Sequence, residues 1–211
     1  MTIYIATKSR KTAWARPPVK KYHSVDVTSA QPKHRIYRKG FSPMHVEDDA
    51  RYSAPDGADY ACFENWWQSR KVWEHEPHEK TLKWWQQSDK PHRRYKNTIN
   101  KRPLHSVDPR QPGTRIGYVA SRKQIYVPDY TDKLQNSAGK AAIKQVREEM
   151  KKGDVVIFDF DGPKNRDGEP LCKEVTVDLL KTMLNDETHP FGHGYIVAAA
   201  VLGISPKEYT S

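Results

Sequence analysis

A chain of 211 residues with 36% hydrophobic content can bury one good core with a small appended segment. Its cysteines are Cys62 and Cys172, 110 positions apart, which excludes a disulfide framework and a cysteine-rich zinc site and fits a reducing compartment. Lys and Arg number 36 against 26 Asp and Glu, a net charge of +10, which favours a polyanionic partner such as nucleic acid or a phosphorylated nucleotide over a merely soluble basic surface.

The charge is uneven. Residues 1–130 carry a net +12 and residues 131–211 a net −2, and the first 40 residues hold ten Lys/Arg against Asp26 alone. Met1–Thr7 is too short and too quickly basic for a signal peptide. The longest apolar run, Tyr195–Leu202, falls far short of the eighteen or so residues a membrane span needs. The expected location is cytoplasmic, with no membrane partner.

In chain order, Ile3–Ala6 and Val25–Thr28 read as short strands around a basic loop containing Arg16-Pro17-Pro18. Residues 30–59, with Pro32, Gly40, Pro43, Pro55 and Gly57, read as a long loop. Two helices follow, about 60–76 and 79–88, broken by Pro77. On a helix advancing 100° per residue, Glu64, Trp67, Gln68, Lys71 and His75 share one face roughly 100° wide. Phe63, Trp66 and Trp73 fall opposite. The polar face is either the wall of a pocket or a solvated surface above a tryptophan core.

Residues 89–115 are basic and proline-rich, including Lys90-Pro91-His92-Arg93-Arg94-Tyr95-Lys96 and Lys101-Arg102-Pro103. Tyr118-Val119 and Gln124–Val127 read as strands, Asn136–Met150 as an amphipathic helix, Val155–Phe158 as a buried strand, and Val175–Leu184 and Gly194–Leu202 as helices. Strand, helix and strand across 125–158 predict a parallel crossover. The expected fold is a single α+β domain over 1–211, a small mixed sheet with a parallel βαβ unit and several packed helices. Its basic, loop-rich half is 1–115 and its βαβαα part 116–211.

Four constellations could carry chemistry. The Glu64 face offers a carboxylate for general acid/base work, Gln68 for a ribose hydroxyl or amide, and Lys71 for a phosphate. Arg122, Lys123 and Tyr126 could grip a diphosphate and stack a base, or simply form a charged loop entering a strand. Asp159-Phe160-Asp161-Gly162-Pro163 ends an apolar strand, the usual ligand edge of an α/β sheet, although the same residues suit a turn capped by its aspartate. The strand resembles the first motif of haloacid-dehalogenase-type phosphatases, except that Pro163 stands where Thr or Val is usual. Finally, Gly192-His193-Gly194 lets backbone approach a ligand just before a helix. His189 and His193 suggest no metal site, because Pro190 and Gly192 break the helical spacing and no third ligand is specified.

Glu64-Asn-Trp-Trp-Gln68-Ser-Arg-Lys71 resembles the Glu-His-Ala-Tyr-Gln-x-x-Lys helix of the NADAR family, named for an association with NAD and ADP-ribose. Asn136-Ser-Ala-Gly139 through Val146-Arg147 to Met150 resembles that family's Asn-x-Leu-Gly-x-x-Leu-Met-x-Val-Arg helix. Together the two stretches cover about 23 residues of the 211. The whole chain also looks like an uncharacterised family from phages and large viruses. Members of the NADAR family are N-glycosidases on ribosylated substrates. The resemblance implies that Glu64 carries the family's glutamate, that Trp67 (Tyr in the family) or Gln68 contacts substrate, and that Arg147 is structural or phosphate-facing.

The expected function is therefore an N-glycosidase-like hydrolase on a ribose-phosphate or ADP-ribose group, nucleotide-linked or attached to DNA or RNA, with no cofactor and no metal. Glu64 would be its catalytic carboxylate, Asp159 or Asp161 the second, and Trp67, Gln68, Lys71, Arg122, Lys123, Tyr126 and His193 would bind substrate. The alternatives are a phage inhibitor of a host protein, and a non-enzymatic nucleic-acid binder. The binder would set Arg93, Arg94, Lys96, Lys101 and Arg102 on phosphates and stack bases on Tyr95, Trp84 or Trp85.

Overall fold

The structure, a computed structural model, describes residues 1–9, 14–33, 35–46, 51–98 and 101–211. In chain order it begins with β1 (Ile3–Thr7), β2 (His23–Asp26), α1 (Ile36–Phe41), β3 (Tyr52–Ser53), β4 (Asp59–Tyr60) and α2 (Phe63–Ser69). Next come β5 (Lys71–Val72), α3 (His78–Gln87), a short 3-10 turn (Lys96–Thr98), β6 (His105–Ser106) and α4 (Tyr118–Ser121). A π-helical turn (Arg122–Tyr126), α5 (Val127–Lys133), α6 (Ser137–Met150) and β7 (Val155–Asp159) follow. The chain closes with β8 (Cys172–Glu174), α7 (Val177–Asn185), α8 (His193–Leu202) and α9 (Pro206–Thr210). The fold class is α+β with a small mixed sheet. The chain forms two compact units, residues 1–42 with 127–211, and residues 43–126.

The first unit holds a four-stranded sheet in the order β2-β7-β1-β8. β1 and β2 flank β7 in parallel, and β8 adds an antiparallel edge. All five residues of β7 are buried, as expected of a central parallel strand whose sequence is a continuous apolar run. Successive side chains point to opposite faces. Tyr4, Ala6, Val156 and Phe158 share one face, where they cluster with Ala15, Val19 and Cys172. Ile3, Ile5, Val155 and Ile157 share the other, and α6 and α8 pack against the strands. α8 is buried through nearly its whole length, which explains why it is apolar all round. α6 is amphipathic, with Ala142, Ile143 and Val146 inward and its first turn capped by Asn136, whose Oδ1 accepts the Gly139 N–H at 2.7 Å.

The second unit is built around α2 and α3. Asn65 on α2, fully buried, donates to the Lys90 carbonyl and accepts from the His92 N–H, both at 2.9 Å, and so ties the segment after α3 to α2. Arg70 is buried with its guanidinium 4.2 Å from the Trp66 ring centroid, donating to the Tyr60 hydroxyl at 3.0 Å and lying 3.4 Å from Asp56 Oδ2.

Several sequence expectations need correction. Residues 118–119 and 124–127 are helical, not strands, so the crossover expected across 125–158 has no first strand there; the parallel pairs are β1 with β7 and β2 with β7. A short apolar run such as Ile125-Tyr126-Val127 suits either period. Pro128 removes the N–H that would bond the Gln124 carbonyl four residues back; that carbonyl instead accepts from the Arg110 guanidinium at 3.4 Å. The helix expected to run to 76 stops at Ser69, because the backbone of 70–72 joins β6: the Val107 N–H reaches the Arg70 carbonyl and the Leu104 N–H the Val72 carbonyl, each at 2.9 Å. The loop expected over 30–59 contains α1, β3 and the first residue of β4.

Candidate functional site

In the second unit α2 delivers Glu64, Trp67 and Gln68, and the strand after it delivers Lys71. Gln68 Nε2 donates to Glu64 Oε1 at 2.7 Å, and Lys71 Nζ donates to Gln68 Oε1 at 2.9 Å. The amide thus links a carboxylate to an ammonium in one chain, all three side chains half-buried. Lys71 Nζ also lies 5.1 Å from the Trp67 ring centroid. Trp67 and Tyr126 rings meet at 4.9 Å, tilted by 45°, and Phe63 lies 5.9 Å from Tyr126. Two motifs far apart in sequence, Glu64–Lys71 and Arg122–Tyr126, therefore join through Trp67 and Tyr126. Both rings are buried, so they form an apolar bed beside the polar chain rather than open stacking platforms.

His75, expected on the same face, lies beyond the end of α2 and is exposed, its Nε2 3.4 Å from Glu74. Tyr126 sits at the end of a single π turn, a rare geometry often found at functional positions. Arg122 on that turn is buried, its guanidinium stacked 4.0 Å from the Tyr118 ring centroid and donating to the Tyr118 hydroxyl at 2.5 Å. Lys123 is half-buried.

Asp159, Asp161 and His193 come together in the first unit. Asp159 is 2% exposed. Its Oδ2 accepts the Gly194 N–H at 2.8 Å and lies 3.3 Å from His193 Nδ1, while His193 Nε2 faces the Val27 carbonyl at 2.9 Å. A Cβ on Gly192 would lie 2.5 Å from Asp159 Oδ2, and one on Gly194 2.9 Å from Asp159 Cβ. The two glycines are required by the approach of this aspartate to the start of α8, which accounts for them without a ligand. Burial and then Asp159 push the Tyr130 phenol well up; burial, then Asp159, Asp161 and Asp186, do the same to Tyr195. Asp161 is exposed. Among the described residues no group of three or more His, Cys, Asp or Glu is placed to hold a metal ion.

The basic stretch after α3 divides by exposure. Arg93, Arg94, Lys96, Lys101 and Arg102 are exposed, whereas Tyr95 is 3% and Trp85 1% exposed. Trp84, half-buried, packs on Trp85 at 4.7 Å, His92 at 4.7 Å and Tyr95 at 5.1 Å. The cations could meet phosphates; Tyr95 and Trp85 are committed to packing. Arg147 donates to the Val201 and Ala200 carbonyls at 2.9 and 2.8 Å and so caps the end of α8.

Sequence reasoning missed the Lys8–Asp26 ion pair at 2.5 Å and the exposed aromatics Trp14 and Tyr22. Their only signal was the strongly basic first 40 residues. No helix among the described residues is long and apolar enough to cross a membrane.

A family model matches residues 7–174, from the end of β1 to the end of β8, and it describes a family of unknown function (DUF6939). The chain belongs to that family. No curated protein and no solved structure matches it.

Proposed function

We propose that the chain is an N-glycosidase-like hydrolase acting on a ribosylated or ADP-ribosylated substrate, nucleotide or nucleic-acid linked, with Glu64 as its catalytic carboxylate. The observation that carries this reading is the Glu64–Gln68–Lys71 hydrogen-bonded chain laid along the Trp67–Tyr126 pair. Breaking the bond between the anomeric carbon and the base nitrogen sends the electron pair to the base and leaves an oxocarbenium-like sugar. A carboxylate held beside that carbon stabilises the positive charge and takes a proton from the water whose oxygen forms the new bond. The departing base nitrogen is protonated in turn. Gln68 fixes one oxygen of Glu64, so the carboxylate is oriented before substrate arrives. Lys71, and Lys123 on the π turn, supply cations for the phosphates of the leaving or retained group. Arg122 acts through Tyr118 by holding the π turn. Cys62 and Cys172, which form no disulfide, suit a reducing cytoplasm, a host's if the chain is viral.

The test is release of free base or ADP-ribose from a panel of ribosylated nucleotides and ADP-ribosylated oligonucleotides. Glu64→Gln is expected to lower release by about 10²-fold or more while substrate binding persists. Release unchanged in Glu64→Gln overturns the assignment.

A second reading, a non-enzymatic nucleic-acid binder, is favoured by the exposure of Arg93, Arg94, Lys96, Lys101 and Arg102. It expects binding that weakens steeply with salt and survives Glu64→Gln.

A further inference from the structure

The face of the four-stranded sheet that carries Tyr4, Ala6, Val156 and Phe158 has a separate covering. Residues 14–22 lie across it: the Ala15 N–H bonds the Thr7 carbonyl at 3.1 Å, and Ala15 and Val19 pack into the Ala6–Val156–Phe158 cluster. That covering leaves aromatic surface outside. Trp14 is 43% and Tyr22 38% exposed, although both rest on Phe158, with ring centroids at 5.1 and 6.3 Å. Lys8 Nζ stands 4.6 Å from the Trp14 centroid and bonds Asp26. Arg16, Lys20 and Lys21, between the two aromatics, are exposed. No acidic residue occurs before Asp26 in the sequence. Register places Asp26 and Glu174 on this face, the first already paired with Lys8. Pro17-Pro18 fixes two backbone φ angles between the aromatics, which lowers the entropy lost when the segment is ordered on a partner.

We infer that this face, with Trp14 and Tyr22 as stacking groups and Arg16, Lys20 and Lys21 as phosphate contacts, binds single-stranded nucleic acid. Exposed rings interleaved with cations on a sheet match a ligand that offers base faces and phosphates in alternation. A duplex hides its base faces, and an acidic peptide would use the cations but leave the rings without a match. The inference lies in the first unit and is independent of the N-glycosidase reading.

The test is fluorescence anisotropy of a labelled oligothymidylate of about a dozen nucleotides, the span of a small single-strand site, with the full chain. Trp14→Ala is expected to weaken binding about ten-fold, the loss typical of one stacked base. Log affinity against log salt should fall with a slope of about −2, since each neutralised phosphate on a single strand contributes about 0.7 and three cations are available. Lys20→Glu with Lys21→Glu changes only exposed charges, leaves the fold intact by circular dichroism, and should cut that slope by more than half. Three outcomes each overturn the inference: no binding at low salt, binding unchanged by Trp14→Ala, or duplex DNA bound as tightly as the single strand.

Discussion

His193 Nδ1 lies 3.3 Å from Asp159 Oδ2, and the same oxygen accepts the Gly194 N–H at 2.8 Å, so one buried carboxylate pins the ring and the first turn of α8 to the end of β7. The other ring nitrogen faces the Val27 carbonyl, which only accepts, so it donates there, and the ring pairs with Asp159 when Nδ1 carries a hydrogen as well. This engagement suits a positioning group better than a second carboxylate at a glycosidic bond. Asp159→Ala should therefore destabilise the protein by about 3 kcal/mol, because it strands a buried ring and a helix-end N–H together. Asp159→Asn keeps one acceptor and should cost about half as much. Urea unfolding midpoints measure both. Full stability in Asp159→Asn, combined with lost activity, would return the residue to the catalytic role.

Asp186 offers a pH-dependent counterpart. Partial burial pushes its carboxyl up, but hydrogen bonds from the side chains and backbone N–H groups of Thr188 and His189 outweigh this and hold it well below the usual range. A carboxyl lowered on folding binds fewer protons native than unfolded, so its contribution is whole above the ordinary carboxylate range and drains away as pH falls. Asp186→Asn should be less stable than the parent at neutral pH by about 1 kcal/mol. The gap should close between about pH 5 and pH 2. Thermal melts across that range decide it; a constant gap refutes the assignment.

How much of this was legible in the sequence depends on where the deciding contacts lie. Val155–Asp159 was readable because a strand buried on both faces is an unbroken apolar run, and α6 because its period of burial is local. The helical course of 118–133 was not, since the period of Ile125-Tyr126-Val127 is ambiguous and the carbonyl that Pro128 cannot serve is satisfied by Arg110 from a remote loop. The end of α2 was missed for the same reason: the backbone at 70–72 is claimed by a strand more than thirty residues on. The site residues Glu64, Gln68 and Lys71 were found through helical spacing, yet Lys71 reaches Gln68 from a strand. The partnership of Trp67 with Tyr126, and of Asp159 with His193, carried no sequence signal beyond the presence of those residue types.

Cys172 is a half-buried thiol that burial pushes up to about 11. The thiolate is the reactive form, so at pH 8 alkylation of Cys172 by iodoacetamide should run roughly a hundred-fold slower than that of free cysteine, and should rise through the alkaline range. Mass spectrometry of timed samples gives the rate. Reaction as fast as the free amino acid would mean that the thiol is neither buried nor raised.

Asn65 makes the strongest claim about how the basic stretch is held. Its amide is fully buried on α2, and its two polar atoms are used by the Lys90 carbonyl and the His92 N–H. Asn65→Ala leaves both backbone groups without their buried partner, a cost of about 2 kcal/mol. The loss should be local as well as global, because Trp84 packs on His92 and Tyr95 and those contacts depend on the segment staying in place. Trypsin cleavage after Arg93, Arg94 or Lys96 should quicken several-fold in Asn65→Ala, at denaturant concentrations where the parent is still folded. Asn65→Asp keeps the acceptor for His92 but sets an oxygen that cannot donate against the Lys90 carbonyl, so it should resemble the alanine variant in cleavage. If Asn65→Asp instead matches the parent, the Lys90 bond contributes nothing and the segment is held by aromatic packing alone.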